Sequence, residues 1–147
     1  AKTNLEMAGK AGTRVLAYLS VVEVAGDAPY LKSFRETKIP VLGKNEVWKS
    51  ELVDVSDPRW PAFVAKLADE AIKRGFNGFF LDTMDSVDLL AEKFPARATE
   101  FRQGLIRTIQ MLREKHPDKR IVVNRGFSVM DEIRPMVHGV LAESLYQ

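Results

Sequence analysis

The stretch that most constrains this fold is residues 76–88, Phe-Asn-Gly-Phe-Phe-Leu-Asp-Thr-Met-Asp-Ser-Val-Asp. An unbroken apolar run, Phe79-Phe80-Leu81, stands between two glycines, Gly75 and Gly78, and three carboxylates, Asp82, Asp85 and Asp88. A short run bounded by turn residues suits a strand buried on both faces, as in a parallel sheet. Parallel α/β folds assemble their sites at the C-terminal ends of the strands. A carboxylate released at such an end is placed for chemistry; its competing role is to cap the segment that follows.

The same pattern recurs along the chain. Residues 15–22 form an apolar strand that ends at Glu23, and 27–30 (Asp-Ala-Pro-Tyr) form a loop. A polar loop carrying Lys44, Asn45 and Trp48 leads to a third strand at 51–55. Asp57 at the N-cap and Pro58 in the first turn open a helix. Its apolar stripe, Trp60, Phe63, Val64, Leu67, Ala68, Ala71 and Ile72, falls at spacings of three or four. After the aspartates, 86–94 reads as a short amphipathic helix stopped by Pro95. A long helix at 96–115 buries Phe101, Leu105, Ile109 and Leu112 and stops at His116-Pro117-Asp118. Residues 120–123 are the next strand, ending in Asn124-Arg125-Gly126. One or two helical turns at 130–137 and a last strand at 140–142 follow, the latter ending in Glu143. Strands alternating with helices argue for an α/β fold with parallel pairing, in one domain without internal repeats.

With 147 residues, 46% of them hydrophobic, the chain is long enough for one cored domain. The net charge of +2 comes from scattered Lys and Arg, which argues against a nucleic-acid partner. No apolar run reaches membrane-spanning length, so membrane insertion is not expected. The absence of cysteine excludes disulfides, thiolate metal sites and a cysteine nucleophile. Gly9-Lys10-Ala11-Gly12-Thr13 lacks the spacing of a phosphate loop and precedes a strand instead of following one; residues 1–13 read as a helix end or polar lead-in. Asp82, Asp85 and Asp88 offer oxygen ligands, but no calcium-loop glycine accompanies them, and no metal is expected. His116 and His138 stand alone and read as structural or surface residues.

Five strands thus finish in polar or charged residues: Glu23; Asp54 with Asp57; Asp82 with Asp85; Asn124-Arg125; and Glu143. Loops are polar in general, but Glu143 lies inside Val-Leu-Ala-Glu-Ser-Leu-Tyr, where desolvation demands a partner or a task. Two carboxylates from separate strands facing one cleft suit glycosidic bond cleavage, and Asp82 and Glu143 are the candidate pair. Tyr18, Tyr30, Trp48 and Tyr146 offer aromatic faces for sugar rings, against the plainer role of core or surface filler.

Several stretches together resemble one family: Val-Leu-Ala-Tyr-Leu-Ser-Val-Val-Glu-Val (15–24), Val-Asp-Val-Ser-Asp-Pro-Arg-Trp (53–60), Gly-Phe-Asn-Gly-Phe-Phe-Leu-Asp-Thr-Met-Asp (75–85), Val-Asn-Arg-Gly-Phe (123–127) and Ala-Glu-Ser-Leu-Tyr (142–146). They are similar to glycoside hydrolase family 114, the endo-α-1,4-polygalactosaminidases. The resemblance implies a (β/α)8 TIM barrel that cuts α-1,4-linked galactosamine-rich exopolysaccharide without a metal or organic cofactor, in the periplasm or outside the cell. It implies Asp82 as the catalytic carboxylate, in the nucleophile's role, and Glu143 as acid/base. Asp85 either exchanges roles with Asp82 or holds a substrate ammonium group. Tyr18, Glu23, Lys44, Asp54, Asn124, Arg125 and Tyr146 are expected to bind substrate.

A full barrel has eight strands and typically about 250 residues. This chain offers five strands, read as the second to the sixth, so the expectation is a partial barrel lacking the first and last strands. Its open edges give a route to self-association. The rival reading is a non-catalytic partial barrel that binds polysaccharide or serves a structural role. A doubly wound phosphotransfer domain is disfavoured, because the carboxylates follow Asp-x-x-Asp and no Gly-x-Gly-x-x-Gly follows a strand.

Overall fold

The computed structural model describes residues 15–141. Four parallel strands make the main sheet: β1 (Leu16–Ser20), β5 (Gly78–Asp82), β6 (Arg120–Asn124) and β7 (Gly139–Leu141), hydrogen-bonded in the order β1-β5-β6-β7. A second sheet, antiparallel and ordered β2-β4-β3, consists of β2 (Glu23–Ala25), β3 (Val41–Asn45) and β4 (Ser50–Val53). The helices are α1 (Leu31–Thr37), α2 (Arg59–Lys73), α3 (Ser86–Lys93), α4 (Ala98–Lys115) and the single turn α5 (Met130–Ile133). The fold is α/β, with a parallel sheet that forms part of a barrel.

The helices cover one face of the main sheet. Ala17 and Leu19 of β1, Phe79 and Leu81 of β5, and Ile121 and Val123 of β6 point into that layer and are buried. They meet Trp60, Phe63 and Val64 of α2 and Phe101, Leu105, Ile109 and Leu112 of α4. The stripes anticipated for α2 and α4 do the burying, as helical periodicity requires. Asp57 caps α2 from one residue further out, its Oδ1 accepting from Arg59 N at 2.9 Å.

The opposite face differs from the expectation of a strand buried on both sides. Register aligns Tyr18 with Phe80 and Phe80 with Val122. Tyr18 is exposed and the other two are half-buried. No second layer of side chains covers this row in the described residues, so alternate residues of β5 remain partly open.

Four further features depart from the sequence reading. Residues 15–22 do not form one strand that ends at Glu23. The chain leaves the main sheet after Ser20, and Glu23 begins β2 in the other sheet. Residues 51–55 were expected as a parallel barrel strand, but β4 pairs antiparallel with both β2 and β3. The polar loop around Lys44 and Asn45 is in fact β3, and α1 occupies residues to which the sequence pattern assigns no element. Gly43, Lys44 and Asn45 are weak strand formers, and α1 buries a single residue, Phe34. Pairing and packing, not local pattern, make both elements.

Helix α4 crosses the segment after β4 at very close range. A Cβ at Gly104 would lie 2.2 Å from Val55 O and 2.7 Å from Val55 C, both backbone atoms. Gly104→Ala is therefore expected to destabilise the fold by about 1–3 kcal/mol, the scale of overpacking in a filled interior. Urea unfolding, comparing midpoints at constant slope, measures it.

Candidate active site

The C-terminal ends of β1 and β5 meet at Ser20 and Asp82, which are register partners. Parallel strands point alternate side chains to one face, so Asp82 lies one layer above Phe80 on the half-open side. There it borders a cleft of about 450 Å³, whose walls include Tyr18, Glu23, Tyr30, Trp48, Thr83 and Asn124.

Asp82 accepts one hydrogen bond on each oxygen. Tyr18 Oη donates to Oδ2 at 2.8 Å and Asn124 Nδ2 to Oδ1 at 3.0 Å. The donors come from β1 and β6, the neighbours of β5 on either side. Three adjacent strands thus fix one carboxylate, and neither bond is local in sequence.

The Tyr18 phenol is held above its ordinary range, first by withdrawal of its hydroxyl from water and then by the hydrogen bond and charge of Asp82. Because the ring as a whole is 61% exposed, the contact with Asp82 is the firmer cause. The phenol stays protonated and acts as donor.

Glu23 is 3% exposed and also borders the cleft. Its Oε1 accepts from Ser50 Oγ; its Oε2 accepts from Ser86 Oγ and, at 3.3 Å, from Asn45 Nδ2. All three donors are neutral. A buried carboxylate is tolerated when hydrogen bonds replace its hydration. Ser50, Ser86 and Asn45 escaped sequence reasoning, because isolated serines and asparagines carry no spacing that marks them.

The remaining expected residues fall elsewhere. Asp54 is buried, but it accepts from Ser56 N at 3.1 Å and pairs with Arg97 Nη2 at 3.2 Å, under the helices. Asp85 takes Arg125 Nε and, at 3.0 Å, Gly126 N, which ties the loop after β5 to the loop after β6. Lys44 is exposed on β3 opposite Glu51. None of Lys44, Asp54, Asp85 and Arg125 is brought to the cleft wall. Glu143 and Tyr146 lie outside the described residues. The described part of β7 ends at Leu141, the register partner of Asn124.

Asp82, Asp85 and Asp88 diverge to different partners, Asp88 pairing with Arg102 at 3.5 Å. Among the described residues no three His, Asp or Glu side chains converge as a metal ion requires. His116 Nε2 meets Asp69 Oδ1 at 3.1 Å, and His138 Nδ1 accepts from Ile121 N at 3.0 Å. Both histidines anchor strand and helix ends away from the cleft. No helix among the described residues is long and apolar enough to cross a membrane.

The model of glycoside hydrolase family GH114 matches residues 1–147. The chain belongs to this family. It is 32% identical to the glycoside hydrolase domain of PelA from Pseudomonas aeruginosa, with a TM-score of 0.81 over 95% of this chain and 54% of that one. Ega3 from Aspergillus fumigatus, solved in complex with galactosamine, superposes with a TM-score of 0.75 at 14% identity, again over 95% and 54%. An α-galactosidase from Thermus thermophilus shares the fold at 0.67 and 17% identity, over 95% of this chain and 29% of that one. The chain spans about half the length of the solved PelA and Ega3 chains it matches. No protein of curated function matches it.

A raised phenol contributes stability that is complete below its ordinary value of 10.0 and is lost as the pH rises from there through the raised folded value. Titration followed by phenolate ultraviolet absorbance should show Tyr18 and, through burial alone, Tyr30 resisting ionisation, Tyr18 the more strongly. The Tyr18 component should vanish in Tyr18→Phe and move to lower pH in Asp82→Asn. An unchanged curve in Asp82→Asn would mean that Asp82 does not control the phenol.

Proposed function

We propose that this protein is an endo-acting glycosidase that cleaves α-1,4-linked galactosamine-rich exopolysaccharide, with Asp82 and Glu143 as its two carboxylates. The observation that carries the reading is the setting of Asp82. It stands at the C-terminal end of a barrel-type strand, beside a cleft, with one donor on each oxygen. Membership of GH114 supports the reaction class.

In this reading Asp82 is presented to the anomeric carbon and Tyr18 and Asn124 hold its plane fixed. Orientation of this kind lowers the barrier by removing freedom before the reaction begins. Glu143 donates a proton to the leaving oxygen as the glycosidic bond breaks. Its placement is inferred from the family resemblance and from its position two residues after Leu141, the partner of Asn124.

The charge of the cleft favours an aminated polymer. Glu23 and Asp82 both border it, and no Lys or Arg does so among the described residues. A polymer with free amines is cationic and is attracted to such a cleft. Trp48, 75% exposed at the rim, and Tyr18 offer apolar ring faces to sugars. An exopolysaccharide substrate puts the work outside the cytoplasm.

Release of new reducing ends from a galactosamine polymer tests the reading. Asp82→Asn and Glu143→Gln should each lower kcat by at least about 10²-fold, the scale of a positioned acid–base group. Asp85→Asn, which only loosens a tie between loops, should lose about tenfold or less by misplacing Asn124. Tight polymer binding without turnover, unaffected by Glu143→Gln, would instead make this a binding domain. Equal losses in Asp82→Asn and Asp85→Asn would overturn the assignment of Asp82.

A further inference from the structure

Four non-glycine residues among those described hold a positive φ, and Thr83, at 63°, is the one with a branched Cβ. It directly follows Asp82. The left-handed region is disfavoured for β-branched residues, so contacts around Thr83 must hold it there. Glycine would meet the backbone demand without strain. The hydroxyl of Thr83 supplies what glycine lacks.

Thr83 Oγ1 accepts from Val22 N at 3.0 Å and lies 2.9 Å from Ser20 Oγ. Ser20 Oγ in turn lies 2.6 Å from Glu23 O. A carbonyl oxygen can only accept, so the single Ser20 proton points to Glu23 O. The Thr83 proton must then point to Ser20 Oγ. The bonds run in one consistent direction: Val22 N–H to Thr83, Thr83 O–H to Ser20, Ser20 O–H to Glu23 O. Val21 N adds a parallel tie to Asp82 O at 3.1 Å. Asp82 and Glu23, the two carboxylate residues at the cleft among those described, are thereby joined through their backbones by two hydroxyls.

We propose that Thr83, acting with Ser20, is a positioning residue that fixes Asp82 relative to Glu23 for the hydrolysis proposed above. This rests on the hydrolase reading for its consequence, but not for its geometry. The left-handed residue Thr83 joins the end of β5 to the turn that leads into α3. The hydroxyl relay sets how far the end of β5 stands from the bend between β1 and β2. Valine keeps the branched shape and removes the relay, whereas serine keeps the relay and removes the branch.

The test compares Thr83→Val, Thr83→Ser and Ser20→Ala in the reducing-end assay on a galactosamine polymer. Thr83→Val should lower kcat by about tenfold or more with KM within about twofold, and Thr83→Ser should recover most of the loss, as expected for lost positioning rather than lost binding. Ser20→Ala breaks the same relay from β1 and should act in the same sense, which keeps the test intact if Thr83→Val does not fold. Unchanged kcat in Thr83→Val or Ser20→Ala would overturn the proposal, as would a Thr83→Ser variant no better than Thr83→Val. If the wild-type protein releases no reducing ends, the hydrolase reading falls separately. The relay is then read from the crystal position of Asp82 and the amide exchange of Val22. A displaced carboxylate with faster exchange in Thr83→Val upholds it; an unmoved carboxylate overturns it.

Discussion

The cleft depends on the parallel pairing of β1 with β5, which sets Ser20 opposite Asp82. At this point β1 leaves the main sheet and the chain bends into β2. Val21 and Val22 lie in the bend and are wholly buried. Their backbone groups need partners that water cannot provide. Val21 N finds Asp82 O, Val22 N finds Thr83 Oγ1, and Val22 O takes Val53 N at 2.9 Å. From the helix side, the buried Trp60 donates Nε1–H to Val21 O, also at 2.9 Å. The bend is thus held from β5, β4 and α2 together, and this places Glu23 beside Asp82.

Two buried carboxylates adjoin that bend in the chain or through its pairing, Glu23 after Val22 and Asp54 after Val53, and are satisfied in opposite ways. Asp54 is matched by a cation, Arg97, whose guanidinium also lies 4.7 Å over the Phe101 ring. It serves to join the end of β4 to α4. Among the described residues Glu23 receives neutral donors only. Its negative charge is therefore not cancelled by a neighbouring cation, and it borders the open space. Burial keeps solvent screening low and lets the charge act on whatever enters the cleft. The same chemical group is structural in one place and electrostatic in the other.

The sheet has one closed and one open side. Helices α2 and α4 seal the face that carries Phe79, Leu81, Ile121 and Val123. The face that carries Tyr18, Phe80 and Val122 keeps partial contact with solvent. In the barrel fold shared with PelA and Ega3, strand ends on such a face surround the site. Asp82 and Asn124 lie on this face at the C-terminal edge, which solvent reaches without displacement of the core.

Much of the fold was legible in the sequence because burial leaves a period. The stripes of α2 and α4, the apolar run of β5 and its terminal carboxylate follow from spacing alone, and the motifs at 75–85 and 123–127 marked the family. Elements with no period were not legible. β3 exists because β4 pairs with it despite Gly43 and Lys44, and α1 exists because Phe34 packs edge-on against Trp60, 5.9 Å between centroids. The site divides along the same line. Sequence singled out Asp82, Glu23 and Asn124 at strand ends and Tyr18 as an aromatic within a strand, and placed Asp54 and Asp85 among them on equal terms. Only the tertiary structure separated these carboxylates, because hydrogen bonds between residues some forty to sixty positions apart decide which of them faces the cleft and which is neutralised. It also exposed the role open to Thr83, whose side chain acts through strands that are remote in sequence and adjacent in space.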